Sequence, residues 1–252
     1  MASFEVPDGW TVQVFQFTLD PTAAQTACVR RQFGGRRYAR NWAVRTLKED
    51  LAKYHQTGEE TAKPSLPGLR KRWNQAKDTE CVDRETGEVW WPEISREAFA
   101  DGIGAGVDAY WNWQTSRAGK RAGRRVGFPR FAKKGRDRDR VTFTTGAIRV
   151  EPDRRHVTVP RIGTVRAHEN TRRLERLLAT GRTRILAATV SRKGTRLVVA
   201  FRVLIQRPQQ PTVAQQNSRL GSTSGSACSP PSPTATVRSS SGSRTRSRWR
   251  QR

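Results

Sequence analysis

The chain has 252 residues and carries 48 Lys and Arg against 22 Asp and Glu, a formal net charge of +26. That length allows a sizeable core, in one large domain or two modest ones, and no apolar run approaches the roughly 18 residues that a membrane span needs. So large a cationic excess repels itself in a compact body and favours a polyanionic partner, nucleic acid foremost.

Residues 10–19 alternate apolar and polar side chains, the period of a half-buried strand. Asp20, Pro21 and Thr22 then read as a helix start, with an acceptor side chain at the cap and proline in the first turn. This helix is predicted to run to about Phe33 and to break at Gly34 and Gly35. A second follows over 37–54, with Tyr38, Trp42, Leu47, Leu51 and Tyr54 near one face. Helix, glycine turn and helix is the outline of a helix-turn-helix unit, an outline shared by helical hairpins that bind nothing. Residues 55–67 are polar and rich in breakers, 68–77 read as a short basic helix, and 78–92 as a loop or small hairpin turning at 85–88. A third main helix is predicted from Ser95, its cap, to about Gln114, with Phe99, Ile103, Val107, Tyr110 and Trp111 on its apolar face. Gly102, Gly104 and Gly106 weaken that helix, so packing must support it.

Past residue 120 the character changes. A basic loop at 127–135 leads to strands at 140–145, 147–150, 156–159 and 163–167. A short helix at 171–178 precedes a hairpin of 184–192 and 196–205 across Lys193, Gly194 and Thr195. The run Leu197, Val198, Val199, Phe201, Val203 and Leu204 reads as a buried strand. The fold class is α+β: the first strand joins the later ones in an antiparallel barrel or sheet, and the helices are inserted between strands. This divides the chain into a first strand (10–20), a helical lobe (21–120), a basic loop with the remaining strands (121–205), and a linker and tail (206–252). The tail over 217–252 holds eleven Ser, seven Arg and no acidic residue, a composition expected to stay disordered.

The strongest local signal lies at 117–140, with eleven basic residues and two acidic ones. Arg117, Lys120, Arg121, Arg124, Arg125, Arg130, Lys133, Lys134 and Arg136 are candidates to neutralise phosphates. Phe128 and Phe131 either stack on bases or anchor the loop, and anchoring is the favoured reading. Arg30, Arg31, Arg36, Arg37 and Arg40, with Arg45, form a second candidate group along the first helices. They either follow a phosphate backbone or make a solvated charged face. Trp42, Trp111 and Trp113 read as core.

Little here points to bond-making chemistry. His156 and His168 have no Cys or carboxylate spaced to join them around a metal. Asp137 and Asp139 sit among arginines as charge balance. Cys28, Cys81 and Cys228 are too far apart for a disulfide framework or a CxxC pair. No Ser/His/Asp set or phosphate-binding glycine loop stands out, so no catalytic, metal or cofactor residue is assigned. Residues 1–9 carry Glu5 and Asp8 and no basic region, which does not read as a secretory signal. The expected location is the cytoplasm, with no membrane partner and an oligomeric state left open.

Five segments, in order, resemble one family. Leu19, Asp20, Pro21 and Thr22 followed by Gln25; Phe33 and Gly34 with Arg37, Asn41 and Trp42; Gly127 through Lys134; the strand from Arg140; and Val159 through Gly163 are similar to the TnpB (OrfB-type) proteins of insertion sequences. The resemblance covers about residues 12–205. It implies a wedge-like β-barrel interrupted by a helical recognition lobe, followed by a RuvC-type nuclease domain. It also implies RNA-guided DNA cleavage, with DNA and a guide RNA as partners, and with Mg²⁺ and a structural zinc in the full-length family. The nuclease carboxylates expected after Ile205 are missing, and no Asp or Glu follows Glu175. A truncated chain that binds nucleic acid without cleaving it is the resulting expectation. Read two bases out of register in one choice of GC-rich codons, residues 221–232 give Val-Asp-Val-Gly-Val, the expected nuclease strand; a frameshifted tail and a natural basic tail are the two readings. A helix-turn-helix regulator or transposition accessory, and a structural RNA-binding protein, are the rival functions.

Overall fold

The structure is a computed structural model that describes residues 5–58 and 64–206. The expectations for the tail past Gln206, disorder and frameshift alike, lie outside the described residues. Two bodies of secondary structure share one hydrophobic core: an antiparallel sheet and a helical lobe inserted between its first two strands.

Strand β1 (Trp10–Asp20) is central, pairing antiparallel with β7 (Arg196–Gln206) from Trp10 opposite Gln206 to Leu19 opposite Leu197. Strand alternation puts Phe17 and Leu19 on the buried face, beside Val199, Phe201 and Val203 of β7. Strand β6 (Thr183–Lys193) forms the expected hairpin with β7, turning at Gly194. Outside β6 lies β2 (Arg140–Phe143). On the other side of β1 come β5 (Gly163–Ala167), β4 (His156–Val159) and the two-residue β3 (Arg149–Val150).

The order is β2-β6-β7-β1-β5-β4-β3, and β2 does not pair with β3, so the expected barrel is corrected to an open seven-stranded sheet. Two features account for this. The strand at one edge, β3, is too short to offer a ladder. The other edge is already occupied: Asp101 accepts the Thr142 amide (3.0 Å), and Glu97 accepts those of Thr144 (3.0 Å) and Thr145 (2.7 Å). Two carboxylates one helical turn apart thus satisfy an edge that would otherwise invite pairing.

Those carboxylates belong to α3 (Arg96–Arg117), which packs against α1 (Ala23–Thr57). The capping-box acceptor is Thr22, whose hydroxyl takes the Gln25 amide while the Gln25 side chain takes that of Thr22. The predicted break at Gly34 and Gly35 is absent: α1 is one 35-residue helix, and the helix-turn-helix outline disappears with the break. Gly35 makes room rather than a turn, because a Cβ there would stand 2.5 Å from Ile94 Cγ2. Gly102 and Gly106 of α3 do the same for α1: added Cβ atoms would stand 2.3 Å from the Arg36 carbonyl oxygen and 2.9 Å from Ala43 Cβ. Backbone contact this close repays the glycines' poor helix propensity with packing.

Helix α2 (Leu66–Glu80) is longer than predicted, because Ser65 caps it and Pro67 falls in the first turn, where proline is tolerated. The stretch that follows is the expected small hairpin, with a bridge from Val82 to Val89, and then a 3-10 turn at Trp91–Glu93. Trp73, Phe99 and Trp42 interlock between α1, α2 and α3. Helix α4 (Arg172–Ala179) lies between β5 and β6 in the chain, with Leu174 fully buried.

Candidate nucleic-acid interface

The two predicted arginine groups meet different fates. On α1, Arg36 is buried and donates to Asp101 at 2.7 Å. Arg37 is mostly buried and joins Arg192 on the carboxylate of Asp139, each at 2.9 Å. Arg31 pairs with Glu93 at 2.8 Å and Arg45 with Glu80 at 2.5 Å. Arg40 donates to the Arg130 carbonyl at 2.9 Å, and burial lowers its pKa against the opposing pull of Asp137. Most of these guanidinium groups therefore join α1 to the rest of the molecule. Arg30 is exposed and, among the described residues, makes no ion pair.

The loop is the reverse. All eleven basic residues from Arg117 to Arg140 are exposed, and among the described residues none enters an ion pair. Arg121 donates only to the carbonyl of Arg124, within the same loop, and Arg117 lies 5.8 Å from the Trp113 ring centroid. Asp139 is committed to Arg37 and Arg192, and Asp137 accepts the Lys133 amide, so two acids among eleven cations leave the row strongly positive.

The loop is nonetheless fixed in place. The Ser116 hydroxyl accepts the Val126 amide at 2.9 Å. Phe128 packs edge-on to Trp113, with ring centroids 5.0 Å apart, and near Tyr110. Asn41 grips Ala132 reciprocally, donating to its carbonyl (3.0 Å) and accepting from its amide (2.7 Å). A cationic ribbon is thus tied at three points to α1 and α3. Phe128 is the anchor expected of it. Phe131 is not: it stands 52% exposed beside Tyr38, Asn41 and Arg45, an aromatic surface open to a stacking partner.

Sequence reading missed a second cationic feature, a groove of about 720 Å³ between α2, α3 and β2. Arg70, Lys77, Arg96 and Arg140 line it, beside Trp91. These four cations are dispersed along the chain, and no local cluster marks them.

Among the described residues no three His, Cys, Asp or Glu side chains come together to hold a metal. His156 is bonded to Asp153. Cys28 donates to the Arg161 carbonyl, and Cys81 is fully buried, its thiol pushed up to about 12 by burial. No described helix is long and apolar enough to cross a membrane.

These observations define a class: an α+β scaffold with an inserted helical lobe and an exposed, immobilised cationic loop. Two proteins from different strains of Mycobacterium tuberculosis, each named as a putative RNA-guided DNA endonuclease, are 63% identical to the chain over 221 residues. The match takes in 88% of this chain and 48% of each relative, so the chain spans about half the length of the curated relatives it matches. Over that span the chain belongs to the TnpB-type family. No family model matches it. The 221 matched residues outnumber the 206 that end at the last described strand, so at least 15 of them lie beyond Gln206.

Proposed function

We propose that this chain is the nucleic-acid-gripping part of an RNA-guided DNA endonuclease-type protein, holding guide RNA, target DNA or both without itself supplying the cleavage site. One observation carries the reading: nine exposed cations, none in an ion pair among the described residues, on a loop anchored to the helical lobe and flanked by Arg117 and Arg140. Free cations on a fixed loop can release counterions from a phosphate backbone at little entropic cost. The relatives' printed name supports both polymers as partners. The absence of a carboxylate or His/Cys cluster among the described residues supports gripping without cutting. The regulator reading rested on a helix-turn-helix outline, and the continuous α1 removes that support.

The test is direct binding. The purified chain is titrated into labelled duplex DNA and structured RNA in moderate salt, then incubated with Mg²⁺. Binding that weakens steeply with added salt, with no strand scission, is the expected result. A chain that ignores both polymers, or cuts a matched target in the presence of its RNA, overturns the proposal.

A further inference from the structure

The groove between α2 and α3 has a composition that a mere packing gap would not require. Its floor is apolar and buried, with Trp73, Phe99 and Ile103. Its rim carries Arg70, Lys77, Arg96 and Arg140, and among the described residues none of these enters an ion pair. Lys77 Nζ lies over the half-buried Trp91 ring, 3.7 Å from its centroid, so an ammonium covers one face of the indole and leaves the other to the groove. The Trp91 indole N–H is fixed on Asp78 at 2.8 Å, which sets the ring's orientation. A volume of about 720 Å³ lies within the range of sites that enclose a small organic group.

The acids of the groove sort themselves. Glu97 is bound to Thr144 and Thr145, and Asp101 to Arg36 and Thr142. Asp108, exposed on α3, accepts no hydrogen bond and enters no ion pair among the described residues. Asp108 lies twelve residues past Arg96 on α3, about 18 Å along the helix, so it can accept a hydroxyl at one end of the groove while Lys77 and Arg96 hold phosphate at the other. Ribose has such a hydroxyl at the 2′ position and deoxyribose does not.

We infer that this groove is a binding site for a short unpaired stretch of a bound RNA: a base beside Trp91 and the apolar floor, phosphates on the rim cations, and the 2′-hydroxyl of a nearby nucleotide on Asp108. The site rests on the nucleic-acid-gripping reading and adds to it a place where a single-stranded stretch of RNA is held. Aromatic contact with an unstacked base, flanked by cations, is the general means by which proteins hold single strands.

The experiment uses the full chain and a labelled single-stranded RNA of about 12 nucleotides, with DNA of the same sequence and a duplex DNA in parallel. Fluorescence anisotropy reads the affinities. Ala109→Trp fills the groove without changing charge, and circular dichroism checks that the variant folds. We expect it to weaken RNA binding by at least about fivefold, the loss of one base contact, and to leave duplex binding within about twofold. Asp108→Leu is expected to raise affinity for both single strands by removing a negative charge, and to erase the wild-type preference for RNA. A folded Ala109→Trp variant that binds the RNA normally overturns the site, and so does equal wild-type affinity for RNA and DNA. Both results leave the loop's duplex binding standing, whereas a wild-type chain that binds neither polymer removes both proposals. If Ala109→Trp does not fold, the RNA-to-DNA ratio of Asp108→Leu decides alone: an unchanged ratio overturns the assignment.

Discussion

Replacing Asp101 by Ala tests how the helical lobe is held on the sheet. Asp101 accepts Arg36 Nε at 2.7 Å and the Thr142 amide at 3.0 Å, and both side chains of the ion pair are largely buried. Its removal leaves a buried guanidinium without a counter-charge, a loss of about 3–5 kcal/mol. The orphaned edge amide is part of that loss and by itself costs about 1–3 kcal/mol. The double variant Arg36→Met with Asp101→Ala keeps only the amide penalty, so it should be more stable than Asp101→Ala alone. Urea unfolding followed by circular dichroism gives both values, and the midpoint of Asp101→Ala should fall well below that of the native chain. An Asp101→Ala protein within about 1 kcal/mol of native stability would refute the edge-docking argument. A double variant less stable than the single one would refute the buried-charge part of it.

Four further outcomes follow from the packing. Gly34 is helical with nothing within 4 Å of an added Cβ, so Gly34→Ala should stabilise the chain by about 0.5–1 kcal/mol in thermal unfolding; a helix broken there would be harmed instead. Gly102→Ala drives a Cβ to 2.3 Å from the Arg36 carbonyl and should destabilise by about 1–3 kcal/mol in the same assay. Because its pKa is raised to about 12 from an ordinary 9.0, Cys81 stays a neutral thiol at pH 8 and should resist alkylation until the chain unfolds. Its contribution to stability is complete below about pH 9 and is lost as pH rises towards 12, so unfolding titrations should show falling alkaline stability.

Sequence alone reveals features set by neighbours along the chain. Ser95 marks a helix start because capping is a local bond, and β7 announces its burial in its own apolar run; the first cap falls on Thr22, so Pro21 stands just outside α1 rather than in its first turn. The Gly34–Gly35 reading fails because the pair looks like a breaker until Ile94, some sixty residues away, is seen pressed against Gly35. Closure of the sheet is equally long-range: nothing near Arg140 tells that Glu97 and Asp101 will occupy the edge of β2. The arginines divide on the same ground. Arg31, Arg36 and Arg37 look as available as the loop's cations until Glu93, Asp101 and Asp139 are found beside them. The basic loop was legible because its cations crowd one stretch of the chain, whereas the groove's cations come from α2, α3 and β2 and meet only on folding.

In the proposed function the anchored loop, rather than the arginines of α1, holds the phosphate backbone. The salt dependence of duplex DNA binding tests it most directly, comparing the native chain with the triple variant Lys133→Gln, Lys134→Gln and Arg136→Gln. Each lost phosphate contact lowers the slope of log affinity against log salt by about 0.9. The triple variant should bind more weakly and lose about 2–3 from that slope while keeping its native circular dichroism; an unchanged slope and affinity in a folded variant would contradict the account.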